Sequence, residues 1–126
     1  MSKIPENLFY TEEHEWIKID GDTMTVGITD HAQSELGDIV FVSLPELGDS
    51  LDEGDSAATI EAVKTVAEVY TPFAGEVVAI NESLDDSAAV INEDPYGEGW
   101  IVKIKVSDDI DTESLLSPAA YQDFIQ

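Results

Sequence analysis

A mainly β domain with a few short helices, built as two small antiparallel sheets stacked with pseudo-two-fold symmetry, is the fold this sequence predicts. Three observations carry the prediction. Short runs rich in Val, Ile, Thr and aromatic residues recur along the chain, separated by Gly, Pro and acidic turn formers. Gly37-Asp38-Ile39-Val40-Phe41-Val42 is matched in type by Gly75-Glu76-Val77-Val78-Ala79-Ile80, and an acidic loop and a further apolar run follow each copy. Either half alone is too small to bury its apolar face, so the two are expected to stack. Helix signals are confined to residues 30–36 and the C-terminal segment. A chain of 126 residues, 43% hydrophobic, has the size of one domain spanning 1–126 and can bury a core.

Taken in order, residues 8–10 are a short apolar run, and Thr11-Glu12-Glu13 an acidic turn. Residues 16–20 and 23–28, joined by Gly21-Asp22, read as a hairpin. Thr29 or Asp30 caps a helix that runs to about Leu36 and stops at Gly37. Residues 38–44 are too apolar for a half-exposed strand and are expected to be central in a sheet. Residues 45–55 are loop, residues 75–80 a strand, and residues 81–99 mostly turns with a helical turn near Glu82 to Asp85. Residues 100–106 form the last strand. Residues 108–126 hold one or two short helices, the first capped by Asp111 or Thr112 and the second started by Ser117-Pro118.

There are 28 acidic residues against five lysines and no arginine, a formal net charge of −23. That charge argues against nucleic acid and anionic membrane as partners, since both require basic patches. It suits docking into basic clefts, or solubility in a salty cytoplasm. The chain has no cysteine, which excludes disulfides, thiolate nucleophiles and cysteine-ligated metals. No run is long enough to span a membrane, and the N-terminus lacks a signal or transit pattern, so a cytoplasmic protein is expected.

Residues 56–62 and 66–71 flank Lys64. Periodicity leaves this segment open between two forms. Ile60, Val63, Ala67 and Tyr70 have near-helical spacing, with Glu61 and Lys64 as an i,i+3 pair. Against that stand the density of β-branched residues and the alternation of Ala58, Ile60 and Ala62, continued after a turn by Val66 and Tyr70, which favour a hairpin with Lys64 at its tip. The turn itself, Ala62-Val63-Lys64-Thr65, contains no Gly, Asn or Pro.

The segment GDSAATIEAVKTVAEVYTPFAGEVVAIN resembles the attachment segment of biotinyl/lipoyl carrier domains, in which a lysine at a hairpin tip carries the cofactor. Biotin-type members place methionine on both sides of that lysine, whereas Val63 and Thr65 stand here. Glu61, three residues before Lys64, is similar to the lipoyl-bearing H-protein family of the glycine cleavage system. HEW at residues 14–16, VGITDHAQSELGDIVFVSLPELG at 26–48, PYGEGWIVKIK at 95–105 and ESLLSPAAYQDF at 113–124 resemble the same family, in order, over about residues 7–125.

The resemblance implies a flattened hybrid barrel-sandwich, with a hybrid-motif core over about 24–106 and a helical segment over about 109–126. It implies a carrier rather than an enzyme, with lipoic acid in amide linkage to Lys64. Pyridoxal-phosphate-dependent glycine decarboxylase would load an aminomethyl group, a tetrahydrofolate-dependent aminomethyltransferase would take it on, and dihydrolipoamide dehydrogenase would reoxidise the dithiol. Lipoylating enzymes are further partners, and Glu61 is a recognition candidate for them. An alternative role is relay of lipoyl groups to other lipoate-dependent enzymes. A monomer is expected. A carboxylate-bearing cleft would hold the protonated amine of the loaded arm, and the positions that match the family's cleft are Glu15 and Glu68.

Other patterns carry less. His14 and His31 lack ligand spacing, so no metal site is expected and both are assigned hydrogen-bonding roles. Asp108, Asp109, Asp111 and Glu113 lack the glycine and spacing of a calcium loop. Gly97-Glu98-Gly99 is a turn, and Trp16 and Trp100 are core or rim anchors. A Schiff-base enzyme would need Lys64 buried, which a hairpin tip does not provide. A plain acidic interaction module is the remaining alternative.

Overall fold

The computed structural model describes residues 4–107 and 112–125. Two antiparallel sheets make up the body. The larger has six strands in the order β1-β2-β3-β9-β8-β5, and the smaller has three in the order β4-β6-β7. In chain order these are β1 (Phe9–Tyr10), β2 (Glu15–Asp20), β3 (Thr23–Ile28), β4 (Ile39–Ser43), β5 (Ser50–Leu51), β6 (Ser56–Ala62), β7 (Val66–Tyr70), β8 (Gly75–Ile80) and β9 (Val102–Val106). Helices α1 (Asp30–Leu36), α2 (Val90–Glu93) and α3 (Pro118–Ile125) complete the fold, with 3-10 turns at Glu82–Asp85 and Thr112–Ser114.

Alternation along the strands builds the main core. Ile17 of β2, Met24 and Val26 of β3, and Val102 and Ile104 of β9 face Val42 of β4, Ile60 of β6 and Val69 of β7, all fully buried. A second cluster lies on the other side of the large sheet, where α3 lays Tyr121 on Tyr10, rings stacked 4.7 Å apart, beside Trp16. Trp16 covers Gly27 so closely that a Cβ there would lie 2.5 Å from its Nε1, which explains a glycine inside a central strand.

The internal repeat is real in the backbone. β4 pairs with β6 and β8 pairs with β9, each repeat copy joined to the run beyond its acidic loop. Both pairings shift register at the same repeat position, between Ile39 and Phe41 in one and between Val77 and Ala79 in the other. The residues at the shifts, Val40 and Val78, both turn outward.

Several expectations are corrected. β4 is an edge strand, not a central one, and Val40 and Phe41 are exposed. Its apolar run misled because the bulge turns two successive residues to the outside. After the turn, Ala67 and Val69 rather than Val66 and Tyr70 carry the inward face, and Val66 is exposed. Ser50–Leu51 adds a short strand inside the expected loop by pairing with Glu76 and Gly75. Val90–Glu93 forms a short helix among the turns. Thr29 caps α1 by accepting from Ala32 N–H at 3.1 Å, and Gly37 ends it at φ 79°. Ser117 caps α3, its Oγ accepting from Ala120 N–H at 3.1 Å. Asp111, proposed as a cap, lies outside the described residues, as do Asp108 and Asp109.

Candidate functional site

The hairpin reading of residues 56–70 holds. β6 and β7 pair from Ser56↔Tyr70 to Glu61↔Val66, and Lys64 stands exposed at the tip. Ala62 N–H donates to Thr65 C=O at 2.8 Å across the turn. No residue of the turn has positive φ, so the turn needs no glycine or asparagine. Val63 N–H donates to Asp38 C=O at 3.0 Å and fixes the tip against the corner between α1 and β4. At that corner the Lys64 stem passes Gly37, where a Cβ would lie 3.1 Å from Lys64 Cε. Asn92 braces the corner from α2. Its Nδ2 donates to Gly37 C=O at 2.8 Å and its Oδ1 accepts from Ile39 N–H at 2.9 Å. Among the described residues Lys64 forms no ion pair.

A cleft of about 140 Å³ lies between α1 and β7. Ile28, Ala32, Leu36 and Ala67 form its apolar floor, and Glu13, His14, Glu35 and Glu68 form its rim. An apolar floor under three carboxylates suits an aliphatic chain that ends in a cation.

The sequence-derived acids fall in three different places. Glu68 is at the cleft rim, where it also accepts from Ser56 Oγ at 2.9 Å and Thr59 Oγ1 at 3.3 Å. Glu61 is exposed on β6, between Phe41 and Val66 in the cross-strand row, one turn from Lys64. Glu15 is 1% exposed and does not line the cleft. Its Oε2 accepts from Tyr70 N–H and its Oε1 accepts from Thr11 Oγ1 at 2.9 Å, tying the large sheet to the end of β7. Burial pushes its carboxyl up to about 7, against the opposing pull of those two hydrogen bonds.

Sequence reasoning missed Glu13 and Glu35 and the placement of His14. His14 has φ 67°, which turns its ring to the cleft while Glu15 turns inward. Its Nδ1 is 2.9 Å from Tyr121 Oη, which is 2.7 Å from Thr29 Oγ1. Thr29 is fully buried and also accepts from Ala32 N–H, so Thr29, Tyr121 and His14 form one hydrogen-bonded chain that begins at the α1 cap. His14 is the outer member of that chain. Burial and the neighbouring His31 ring, 4.9 Å away, both hold it below the ordinary histidine value. The expected hydrogen-bonding role of His14 is borne out, and His31 pairs with Glu35 at 3.5 Å. Among the described residues no group of His, Cys, Asp or Glu could hold a metal ion.

Comparison with known proteins bears on this arrangement. Residues 8–126 match the family model described as glycine cleavage H-protein. The chain is 54% identical over 121 residues to the glycine cleavage system H protein of Rubrobacter xylanophilus, covering 96% of this chain and 94% of that one. It is 52% identical to the corresponding protein of Staphylococcus carnosus, covering 97% of both. The crystal structure of a glycine cleavage system H protein from Mycobacterium marinum superposes with a TM-score of 0.86 at 38% identity, over 95% of this chain and 97% of that one.

Proposed function

Because the chain belongs to the glycine cleavage H-protein family, a family of lipoyl carriers with lipoate linked to a lysine, we propose that Lys64 is the lysine that bears the group. The observation that supports this reading is the exposed Lys64 at the tip of a braced hairpin, beside a corner kept bare by Gly37. Among the described residues no carboxylate forms an ion pair with the Lys64 amine. When attached, the lipoyl group supplies a dithiolane that carries the aminomethyl group of glycine and cycles between disulfide and dithiol.

The chain itself presents, holds and shields. The hairpin fixes where the arm begins, and tethering keeps its far end at high local concentration around each partner site. Glu68, Glu35 and Glu13 at the rim would attract a terminal ammonium, while the floor takes the aliphatic stem. Glu15 acts from behind the rim by holding β7, and hence Ala67 and Glu68, against the large sheet. Glu61 offers a recognition charge beside the lysine. The working partners are glycine decarboxylase, aminomethyltransferase, dihydrolipoamide dehydrogenase and the lipoylating enzymes, which meet a monomeric carrier.

The test is an intact mass after expression in a lipoate-replete host. One lipoyl increment, lost in Lys64→Arg, is the expected result. An unmodified chain, in a host that lipoylates its other carriers, would refute the assignment.

A further inference from the structure

Three of the four lysines among the described residues, Lys18, Lys103 and Lys105, lie on the large sheet. The pairing register puts Lys18 of β2 opposite Thr25 of β3, and Thr25 opposite Lys103 of β9. The three therefore share one cross-strand row on the outer face of the large sheet, because residues directly opposite point the same way. Trp100 and Tyr96 border that row and enclose with it a shallow groove of about 240 Å³. Lys103 Nζ lies 5.2 Å from the centroid of the Trp100 ring, held there by cation–π attraction.

Two features set this groove apart from an ordinary solvated face. In a chain with 28 carboxylates, neither Lys18 nor Lys103 forms an ion pair among the described residues. Lys105, in the next row, has Glu76 directly opposite and so has a local reason to be basic. Lys18 has Thr25 opposite and Lys103 has Thr25 and Ala79, none of them acidic. In addition, the groove is smaller than a small-molecule pocket and rimmed by large aromatic side chains, which is the make-up of a protein contact.

The groove is also linked to the root of the arm through α1. Tyr96 Oη accepts from Asp30 N–H at the start of α1, and Gly37 at the end of α1 meets the Lys64 stem. The seven residues of α1 span about 10 Å. A partner seated on the groove would leave the hairpin uncovered yet remain near the reach of an arm rooted there.

We propose that the Lys18–Lys103–Trp100 groove is a docking surface for a carboxylate-rich patch on an enzyme that works on the arm. It rests on the carrier reading above. Charge complementarity selects the occupant. The net charge of −23 repels acidic proteins in general, so a partner whose acids meet this row is favoured in one orientation.

The test uses the lipoylated chain with Lys18→Gln and Lys103→Gln combined, both on a sheet surface that tolerates the change. The Michaelis constant for the carrier is measured with glycine decarboxylase, aminomethyltransferase and dihydrolipoamide dehydrogenase in turn, at low and raised salt. The expected result is a rise of about tenfold for at least one enzyme at low salt, with kcat unchanged, the difference shrinking as salt rises. Lipoyl mass on Lys64 is expected to stay complete in the variant. Unchanged constants with all three enzymes would overturn the docking surface alone. A wild-type chain that no enzyme accepts would overturn the carrier reading and the docking surface with it. Dimerisation of the wild-type chain that the variant abolishes would give the face to a second copy and also overturn the proposal.

Discussion

Glu15→Gln separates the cost of burying a carboxylate from the benefit of its hydrogen bonds. Glu15 is raised from 4.5 to about 7 in the fold, with burial the main cause. A carboxyl raised by folding contributes stability that is complete below 4.5 and is lost as pH climbs through about 7. At roughly 1.4 kcal/mol per pH unit, the full interval corresponds to about 3 kcal/mol. Between pH 5 and pH 8 about 2 to 3 kcal/mol of it is crossed, and pH 5 keeps the chain clear of the point where its acids neutralise. Glutamine fits the site without charge. Its Oε1 accepts from Tyr70 N–H, and its amide donates to Thr11 Oγ1. The variant is therefore expected to match wild type near pH 5 and exceed it at pH 8 by about 2 to 3 kcal/mol, or about 10 °C in Tm. Urea unfolding of both proteins at the two pH values measures it, and the titration of the other acids cancels in the difference. A stability difference that stays the same at both pH values, or wild type gaining on the variant as pH rises, would refute the reasoning.

Three further substitutions probe other parts of the chain. Glu68→Gln removes one carboxylate from an exposed rim, so loss of the aminomethyl group from the loaded arm is expected to speed up about two- to fivefold, read as formaldehyde release. An unchanged rate, in this variant and in the double Glu15→Gln, Glu68→Gln variant, would deny both acids a role in shielding. Gly27→Ala drives a Cβ into the Trp16 indole and displaces its 2.8 Å bond to Pro95 C=O. A loss of about 1–3 kcal/mol is expected in chemical unfolding, with a change in tryptophan fluorescence. Tyr121→Phe leaves Thr29 and His14 without their shared partner. About 1–3 kcal/mol of stability should go with it, and stability within a few tenths of wild type would mean that the Thr29–Tyr121–His14 chain carries no weight.

Most of the fold was legible because its signals were local. Thr29 and Gly37 bound α1, Ser117-Pro118 starts α3, and Gly21-Asp22 turns the first hairpin, each through a residue whose side chain or missing Cβ meets a backbone requirement. Position within a sheet was less legible. The apolar run at residues 38–44 looked central, yet β4 is an edge, because the bulge at Val40 breaks the alternation from which burial is inferred. Ser50–Leu51 and Val90–Glu93 were invisible for a related reason. Their order comes from what they rest against, Gly75 and Glu76 in one case and the bracing by Asn92 in the other, and not from their own propensity.

The site divides along the same line. Periodicity left the Lys64 segment open between helix and hairpin, because its turn holds no Gly, Asn or Pro, and it was the resemblance of the flanking segment that singled Lys64 out. The cleft was not legible, because its rim is gathered from an acidic turn, a helix and a strand, and each acid in isolation is one of 28. Glu15 shows how the two interact. It was singled out from the motif at residues 14–16, but the motif divides its labour. The left-handed backbone at His14 sends one side chain to the cleft rim, and the next residue, Glu15, goes inward to hold β7. The nearest readable signal was the tight acidic turn, Thr11-Glu12-Glu13, closed by His14 N–H on Thr11 C=O at 3.1 Å. A turn that tight must reverse the chain within a few residues, so successive side chains cannot all face one way. Acids close together there are expected to serve different surfaces, and Glu13 at the rim with Glu15 two residues on in the interior is that outcome.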